Sequence, residues 1–521
     1  MSRGRIVDAS TIGRDLALDA DVAIVGTGAG GGTAAEMMAS QGLRVVMIEE
    51  GPLRTSRDFH MLEREAYPQL YQESAGRRTK DKGIVILQGR AVGGSTTVNW
   101  TTSFRTPPQT LAFWRERYGL SDYTPAALAP WFERMEQRLS IRPWRVPPNE
   151  NNAVLARGAA ALGIPTGVIA RNVNGCRNLG YCGMGCPVNA KQSMLVTTIP
   201  AALDRGATLL VRARAERLSF SGAVATELEC RGLDATGLRP GPHRIRVRAR
   251  AFVAAGGAIG TPALLMRSNA PDPNGLLGSR TFLHPTLVSA ARMPQVVAAY
   301  AGAPQSVYSD HFVAGRPFDG PIGFKLEVPP VHPVLMTTTL PGFGRAHADL
   351  AAAMPQTQVI IALLRDGFHP QSVGGRVELL GDGSPVLDYP MTPYLWEGAR
   401  RALRTMAEIQ FAAGAKSVFP LHESAQPYAS LTEANAAIVA LPMEILRTRV
   451  VSAHVMGGCA MSADPATGVV DPRGRHHQVE NLYVFDGSIF PTSLGANPQL
   501  SIYGIVARNA SRLADRLNGG L

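Results

Sequence analysis

Apolar runs broken by glycine and proline divide the chain into alternating strand-like and helix-like pieces. Val22 to Val25 enters Gly26-Thr27-Gly28-Ala29-Gly30-Gly31, a stretch of small residues follows, and Val45 to Ile48 ends at Glu49. That order predicts strand, tight turn, helix and strand. The first 20 residues read as an arm or short strand. Residues 83–88 predict a strand, and residues 124–139 a helix whose Trp131, Met135 and Leu139 stripe suits core packing. Residues 143–192, rich in Pro, Asn, Gly and Cys, predict loops instead of regular structure. Residues 208–218 predict a hairpin-like pair of strands. Residues 251–268 predict a strand, a glycine turn and a helix begun by Pro262.

Residues 285–450 have a different texture. Prolines are frequent, strand-like runs recur at 359–367 and 375–380, and a helical block spans Leu395 to Ala413. This predicts an antiparallel sheet with covering helices. Residues 451–521 predict a strand within 480–491 and a final helix from Pro498 to Leu517. Dinucleotide-type pieces thus lie at the start, middle and end. The expected fold is α/β, α+β overall. A Rossmann-like cofactor domain comprises 15–110, 195–285 and 450–521, and a substrate domain comprises 111–194 and 286–449.

Composition narrows the classes. The 521 residues are 45% hydrophobic and 18% charged, an ordinary globular balance that excludes disorder. No apolar run approaches the roughly 20 residues of a membrane-spanning helix. The start shows no apolar core of a signal peptide, so the expected location is the cytoplasm, or export alongside a partner subunit. The net charge of +11 is carried mostly by dispersed arginine. His243 to Arg250 illustrates the pattern: Ile245 and Val247 alternate with arginines, as in a half-buried strand with one wet face. That favours a solvated surface over nucleic-acid binding and leaves weak peripheral contact with an anionic membrane open.

Gly26, Gly28 and Gly31 have dinucleotide-fingerprint spacing: one for the turn, one for approach to a pyrophosphate, one for helix–strand packing. Glu49, 23 residues after Gly26, stands where an acid would hold a ribose. Near the other end, His454 and Asn497 lie 43 residues apart, each among Gly or Pro turn residues. A neutral imidazole suits removal of a hydroxyl proton, and an amide can donate to the oxygen left behind.

Four motifs in order resemble the glucose–methanol–choline (GMC) family of FAD-dependent oxidoreductases over nearly the whole chain. They are Gly26-x-Gly28-x-x-Gly31 with Glu49; Gly89-Arg90 through Gly93-Gly94-Ser95 to Asn99; Ala254-Ala255-Gly256-Gly257-Ala258 with Thr261-Pro262; and His454 with Gly457, then Asp486-Gly487-Ser488 and Asn497-Pro498. The resemblance implies that Gly26, Gly28 and Gly31 cradle the FAD pyrophosphate with Glu49 on the ribose. It implies that Gly93, Gly94, Ser95 and Asn99 approach the flavin, and that Ala255 and Gly256 belong to the same cradle. Val211 would contact adenine through its backbone. Asp486 and Gly487 would lie near the ribityl–pyrophosphate region, and Asn497 and Pro498 by the isoalloxazine. His454 would be the base and Asn497 its partner. Val98 stands where some relatives carry an FAD-linking histidine, so the FAD is expected to be non-covalent.

Cys176, Cys182 and Cys186, followed by Pro187, are spaced like the iron–sulfur loop of multi-subunit sugar dehydrogenases in this family. The following Lys191-Gln192-Ser193 and Leu363-Leu364-Arg365-Asp366 instead resemble long-chain alcohol oxidases and related bacterial proteins, favouring a cluster-free loop and no metal. His284 reads as a structural histidine at a domain junction, and His332, His369, His476 and His477 as surface or loop residues. Glu327 and Glu378 are candidates for the substrate cavity wall. The expected activity is oxidation of a hydrophobic alcohol, with oxygen or a quinone as electron acceptor. The alternatives are a sugar or polyol dehydrogenase serving a quinone or cytochrome, and a flavoprotein without alcohol chemistry.

Overall fold

The computed structural model describes residues 4–519. A first eight-stranded sheet gathers the dinucleotide-type pieces. Arg5–Asp8, Thr208–Val211, Val45–Ile48, Leu16–Val25 and Pro240–Ala254 lie side by side in parallel, and Leu482–Val484 pairs with the end of Pro240–Ala254. Val224–Leu233 and Ala213–Ser221 then continue as an antiparallel meander. The alternating strand contains Ile245 and Val247, both fully buried.

The helix Ala29–Ser40 buries nearly its whole length because its residues are small or apolar on almost every side, Met37 and Met38 included. It packs against the last helix, Gln499–Leu517, which also meets Pro125–Arg138. The expected division assigns residues 111–194 to the other domain, yet Leu111, Trp114, Phe132 and Met135 lie in the core of the first sheet.

A second eight-stranded sheet runs Ile84–Ile86, Val450–Ser452, Thr286–Arg292, Thr357–Leu364, Phe324–Glu327, Val307–Ser309 and Gly167–Val168, with Ser417–Pro420 on a branch. All these pairs are antiparallel except the first. The helix Pro393–Ala412, capped by Thr392, covers one face with Leu395, Leu403 and Met406 against Leu287, Ile360, Ala362 and Leu326. On the opposite face, register aligns Val85, Val451, Thr286, Leu363 and Lys325, and beside them Ile361, Glu327 and Tyr308.

Four expectations change. Residues 208–218 are not a hairpin. The chain turns at Arg212, with φ +52°, so that Thr208–Val211 inserts between parallel strands while Ala213–Ser221 pairs with Val224–Leu233. The helix assigned to Pro262 starts earlier, spanning Gly257–Arg267 with Pro262 inside it. The loop assigned to 143–192 contains the helix Glu150–Ala161, whose N-cap Asn149 accepts from the amide of Asn152; of the asparagines that suggest loop, Asn149 is the cap and Asn151 and Asn152 lie inside the helix. Arg376–Leu379 pairs only with Pro385–Asp388, outside the large sheet.

Candidate active site

The four motifs meet between the sheets. Strand Leu16–Val25 ends at Gly26, and Ala255 donates its amide to Val25, bringing the third motif alongside. Gly31 fills its expected packing role: a Cβ there would stand 1.9 Å from the Gly26 oxygen. Gly30, which the spacing rule passes over, is more constrained; its Cβ would lie 1.6 Å from the Phe485 oxygen, where the fourth motif approaches. Gly28 caps Ala29–Ser40 without a side-chain acceptor, so the first amides of that helix remain free for an anion. Gly28, Gly94, Ser95 and Gly256 all keep accessible surface here. An uncapped helix start walled by accessible glycine turns fits a pyrophosphate.

Glu49 is buried beside this turn. Its Oε2 accepts from the Thr27 amide at 3.1 Å and hydroxyl at 2.6 Å, and its Oε1 from the Gly51 amide at 2.8 Å. Burial raises its pKa, against the pull of those donors. Three of about four lone-pair positions are filled, leaving room for one more donor such as a ribose hydroxyl. The Thr27 hydroxyl also accepts from the Gly93 amide at 3.0 Å, tying the first motif to the second. Val211 is brought to the same end: the next two residues, Arg212 and Ala213, donate their amides to the Gly51 and Glu49 oxygens.

Asp486 does something the sequence does not reveal. It accepts from the Gly257 amide, the Thr261 hydroxyl, and both the amide and hydroxyl of Ser488. Its lone pairs are spent on fastening the third motif, through Gly257 and Thr261, to the turn at Ser488 in the fourth. Burial raises its pKa despite those donors. In the second motif the Asn99 amide donates to Gln499 Oε1 at 2.7 Å, at the start of the last helix behind Pro498. Lys191 supports this motif from beneath. It is buried and donates to the carbonyls of Thr97 at 2.6 Å, Asn99 at 3.0 Å and Cys182 at 2.7 Å.

His454 follows the strand Val450–Ser452, and Asn497 precedes the last helix; their Nε2 and Nδ2 lie 3.3 Å apart. His454 keeps an open edge yet lies deep enough that burial, reinforced by Lys325, pulls its pKa down to about 3. It is therefore neutral near pH 7. Asn497 Nδ2 also donates to Oε2 of Glu327 at 3.1 Å, and Gln305 donates to the same oxygen at 3.1 Å. Glu327 is thus beside the pair, whereas Glu378 lies at the surface with Lys80. Lys325 Nζ stands 3.8 Å from Glu327 Oε1 and 3.0 Å from the centre of the Phe104 ring. On its other side His454 meets His284, Nδ1 to Nδ1 at 3.3 Å. His284 therefore touches the pair, and nothing in its sequence neighbourhood signals that contact. His332 and His476 are buried, not surface residues.

The cysteine loop is separate. Among the described residues all five cysteines are free, and no group of three His, Cys, Asp or Glu side chains is arranged to hold a metal ion. Cys182 is linked to the site through its carbonyl and Lys191. Also among the described residues, no helix is long and apolar enough to cross a membrane.

A parallel sheet ending in glycine turns, with a neutral histidine and an amide at the mouth of a second sheet, is the layout of a flavin-dependent oxidoreductase. Residues 67–286 and 370–505 match the N- and C-terminal parts of GMC oxidoreductases. An uncharacterised GMC-type oxidoreductase of Mycobacterium tuberculosis is 32% identical over 507 residues, covering 96% of this chain and 76% of that protein. A long-chain-alcohol oxidase of Arabidopsis thaliana is 27% identical over 521 residues, covering 96% of this chain and 67% of that protein. Among solved structures, pyridoxine 4-oxidase from Mesorbium loti superposes with a TM-score of 0.69 at 20% identity, covering 94% of this chain and 98% of its own. A formate oxidase variant from Aspergillus oryzae RIB40, made to study FAD modification, gives 0.69 at 16% identity over 99% of both chains. The chain belongs to the GMC oxidoreductase family, and it is an FAD-dependent oxidoreductase acting on CH–OH donors.

Proposed function

We propose that the enzyme oxidises a hydrophobic alcohol to an aldehyde or ketone, with His454 taking the hydroxyl proton and Asn497 steadying the oxygen. The observation that carries this reading is the 3.3 Å contact between a neutral His454 and the Asn497 amide. A neutral imidazole can accept a proton, and an amide donor beside it stabilises charge developing on the oxygen. The residues suited to hold FAD without a covalent link are the glycine turns at 26–31, 93–95 and 255–257, with Glu49 and Val211 at the adenine end and Asn99 and Pro498 toward the flavin. When bound, FAD supplies the acceptor for the carbinol hydride.

Two observations support a hydrophobic substrate. Glu327 belongs to the face of the second sheet turned toward Asn497, and on that face Val85, Val451 and Ile361 remain partly open. Long-chain-alcohol oxidases are among the relatives. The oxidase activity of those relatives also makes oxygen the proposed acceptor.

The test is anaerobic mixing of the yellow holoenzyme with alcohols of increasing chain length, followed by oxygen or a quinone. Flavin absorbance is expected to bleach and to return with oxygen. His454→Ala should slow bleaching by roughly a hundredfold or more, the scale of a lost acid–base group, with FAD retained. Near-normal bleaching in that variant would remove His454 from the base role. Recovery only with quinone would transfer the acceptor assignment.

A further inference from the structure

Gln499 opens the last helix and is buried. Its side chain reaches back to the segment that follows the second motif. Nε2 meets three acceptors: the Thr102 carbonyl at 2.7 Å, Ser103 Oγ at 2.9 Å and Asn172 Oδ1 at 3.2 Å. Oε1 meets two donors: the Asn99 amide at 2.7 Å and the Tyr503 hydroxyl at 3.0 Å. Both ends of this amide are therefore matched, and a buried amide so matched is held hard, because leaving either end unmade is costly.

The direction of each bond is settled by its neighbours. The Thr102 carbonyl can only accept. Ser103 spends its hydrogen on the Thr101 carbonyl at 3.1 Å, and Asn172 spends its amide on the Gln192 carbonyl at 2.9 Å, so both turn a lone pair to Gln499. Nε2 must lie on that side, and Oε1 on the side of Asn99. Asn99 is fixed in turn from both ends. Its Nδ2 donates to Gln499, and its Oδ1 accepts from the Thr101 amide at 3.2 Å. A reversed Asn99 would set its oxygen against Gln499 Oε1 and its N–H against the Thr101 N–H. Thr101 itself lies at φ +70°, rare for a β-branched residue and a sign that the surroundings over-determine this turn. The backbone of Asn99 is committed as well: its amide donates to the Ser95 carbonyl at 2.9 Å, and its carbonyl accepts from Lys191 at 3.0 Å.

One donor stays unspent. A side-chain amide nitrogen carries two hydrogens, and among the described residues the second on Asn99 Nδ2 meets no acceptor. Asn99 keeps accessible surface, as do Gly94 and Ser95, whereas Gln499, Thr101 and Tyr503 behind it are buried. We propose that Gln499 is a positioning residue: it holds the Asn99 amide so that the unspent N–H is offered to the flavin. The inference rests on the reading of Asn99 as a residue of the flavin site. A donor there stabilises charge gained on reduction and so raises the midpoint potential. Without Gln499 the Asn99 side chain is held by Thr101 alone and can turn its oxygen to the same place, with the opposite effect.

The test combines Gln499→Met, which keeps the volume and removes both ends of the amide, with Asn99→Ala and the double variant. FAD-stripped proteins are titrated with FAD, and midpoint potentials are measured on the reloaded proteins. Asn99→Ala should weaken FAD binding about fivefold, the worth of one hydrogen bond, and lower the potential. Gln499→Met should move both in the same direction by no more than that. The double variant should be no worse than Asn99→Ala, because Gln499 acts only through Asn99. Additive losses overturn the inference, and so do wild-type values in Gln499→Met beside a loss in Asn99→Ala. Wild-type values in Asn99→Ala would remove the flavin-site reading and the inference with it. Should Gln499→Met not fold, a crystal structure of the wild-type holoenzyme decides. Asn99 Nδ2 must lie within hydrogen-bond reach of both Gln499 Oε1 and a flavin acceptor, and the lack of either contact overturns the inference.

Discussion

Asn497 reaches from the end of the cofactor sheet to donate to Glu327 on the second sheet, 3.1 Å away. This bond orients the amide that faces His454, and Lys325 supplies the charge balancing Glu327. Burial raises the Glu327 pKa while Lys325 and Asn497 pull it back, and burial draws Lys325 down to about 8. Glu327→Gln should therefore lower kcat by roughly tenfold, about the worth of one hydrogen bond to a charged group. Stopped-flow flavin reduction measures this. Because Lys325 is left buried without its partner, stability should also fall, by about 3 kcal/mol, in denaturant unfolding.

Lys191 offers a second test at a distance from the reaction. Its ammonium satisfies three buried carbonyls, two in the glycine loop and one in the cysteine loop. Lys191→Met fills the same space and leaves all three without that donor. The expected cost is on the order of 1–3 kcal/mol for each group that finds no other partner. Lower FAD content per protein, read at the flavin band, is the specific outcome. Full flavin loading would show that the loop holds itself.

Two glycine substitutions separate close approach from backbone strain. Gly30→Ala places a methyl 1.6 Å from the Phe485 oxygen, a collision of backbones, and should yield colourless or insoluble protein. Gly42 has φ +84° with nothing within 4 Å of its would-be Cβ. Gly42→Ala should cost about 1 kcal/mol and keep its FAD. Equal FAD content in the two proteins would mean that the approach of the Phe485 turn is not needed.

Histidine burial predicts a pH effect with a defined sign. His476 is buried, and its pKa is held down to about 4 by burial and His477. Below pH 6.5 the unfolded chain protonates this ring and the native protein does not, so wild-type stability is lost as pH falls from 6.5 to about 4. Several buried carboxylates have raised pKa values and push the opposite way, so the comparison must be with His476→Gln. The variant should gain on wild type by up to about 1.4 kcal/mol per pH unit across that window. A constant difference between the two melting curves at all pH values would contradict it.

The glycine fingerprint was legible because its constraints are local: a turn, a helix start and a strand lie within 30 residues. Charge alternation likewise exposed the strand with Ile245 and Val247. The pairing of His454 with Asn497 came through family resemblance, since each alone is an ordinary turn residue. Glu327 reads as a cavity-wall candidate and His284 as a structural histidine, but their contacts with Asn497 and His454 depend on strand register and on a turn bent by Asp366. Gly30 was missed for a similar reason: its constraint comes from Phe485, hundreds of residues away. The helix Glu150–Ala161 was hidden by composition, as a capping asparagine and a loop asparagine look alike in one sequence.

The last helix and the strand Leu482–Val484 close the cofactor sheet begun by Leu16–Val25. A ribosome releases these pieces in the reverse order of their usefulness. The nascent chain carries its pyrophosphate turn long before Phe485, His454 and Asn497 emerge, and the helix at Ala29–Ser40 must wait for its C-terminal neighbour. Flavin loading should therefore be a late event in biosynthesis, and a chain stalled before residue 480 should emerge without colour.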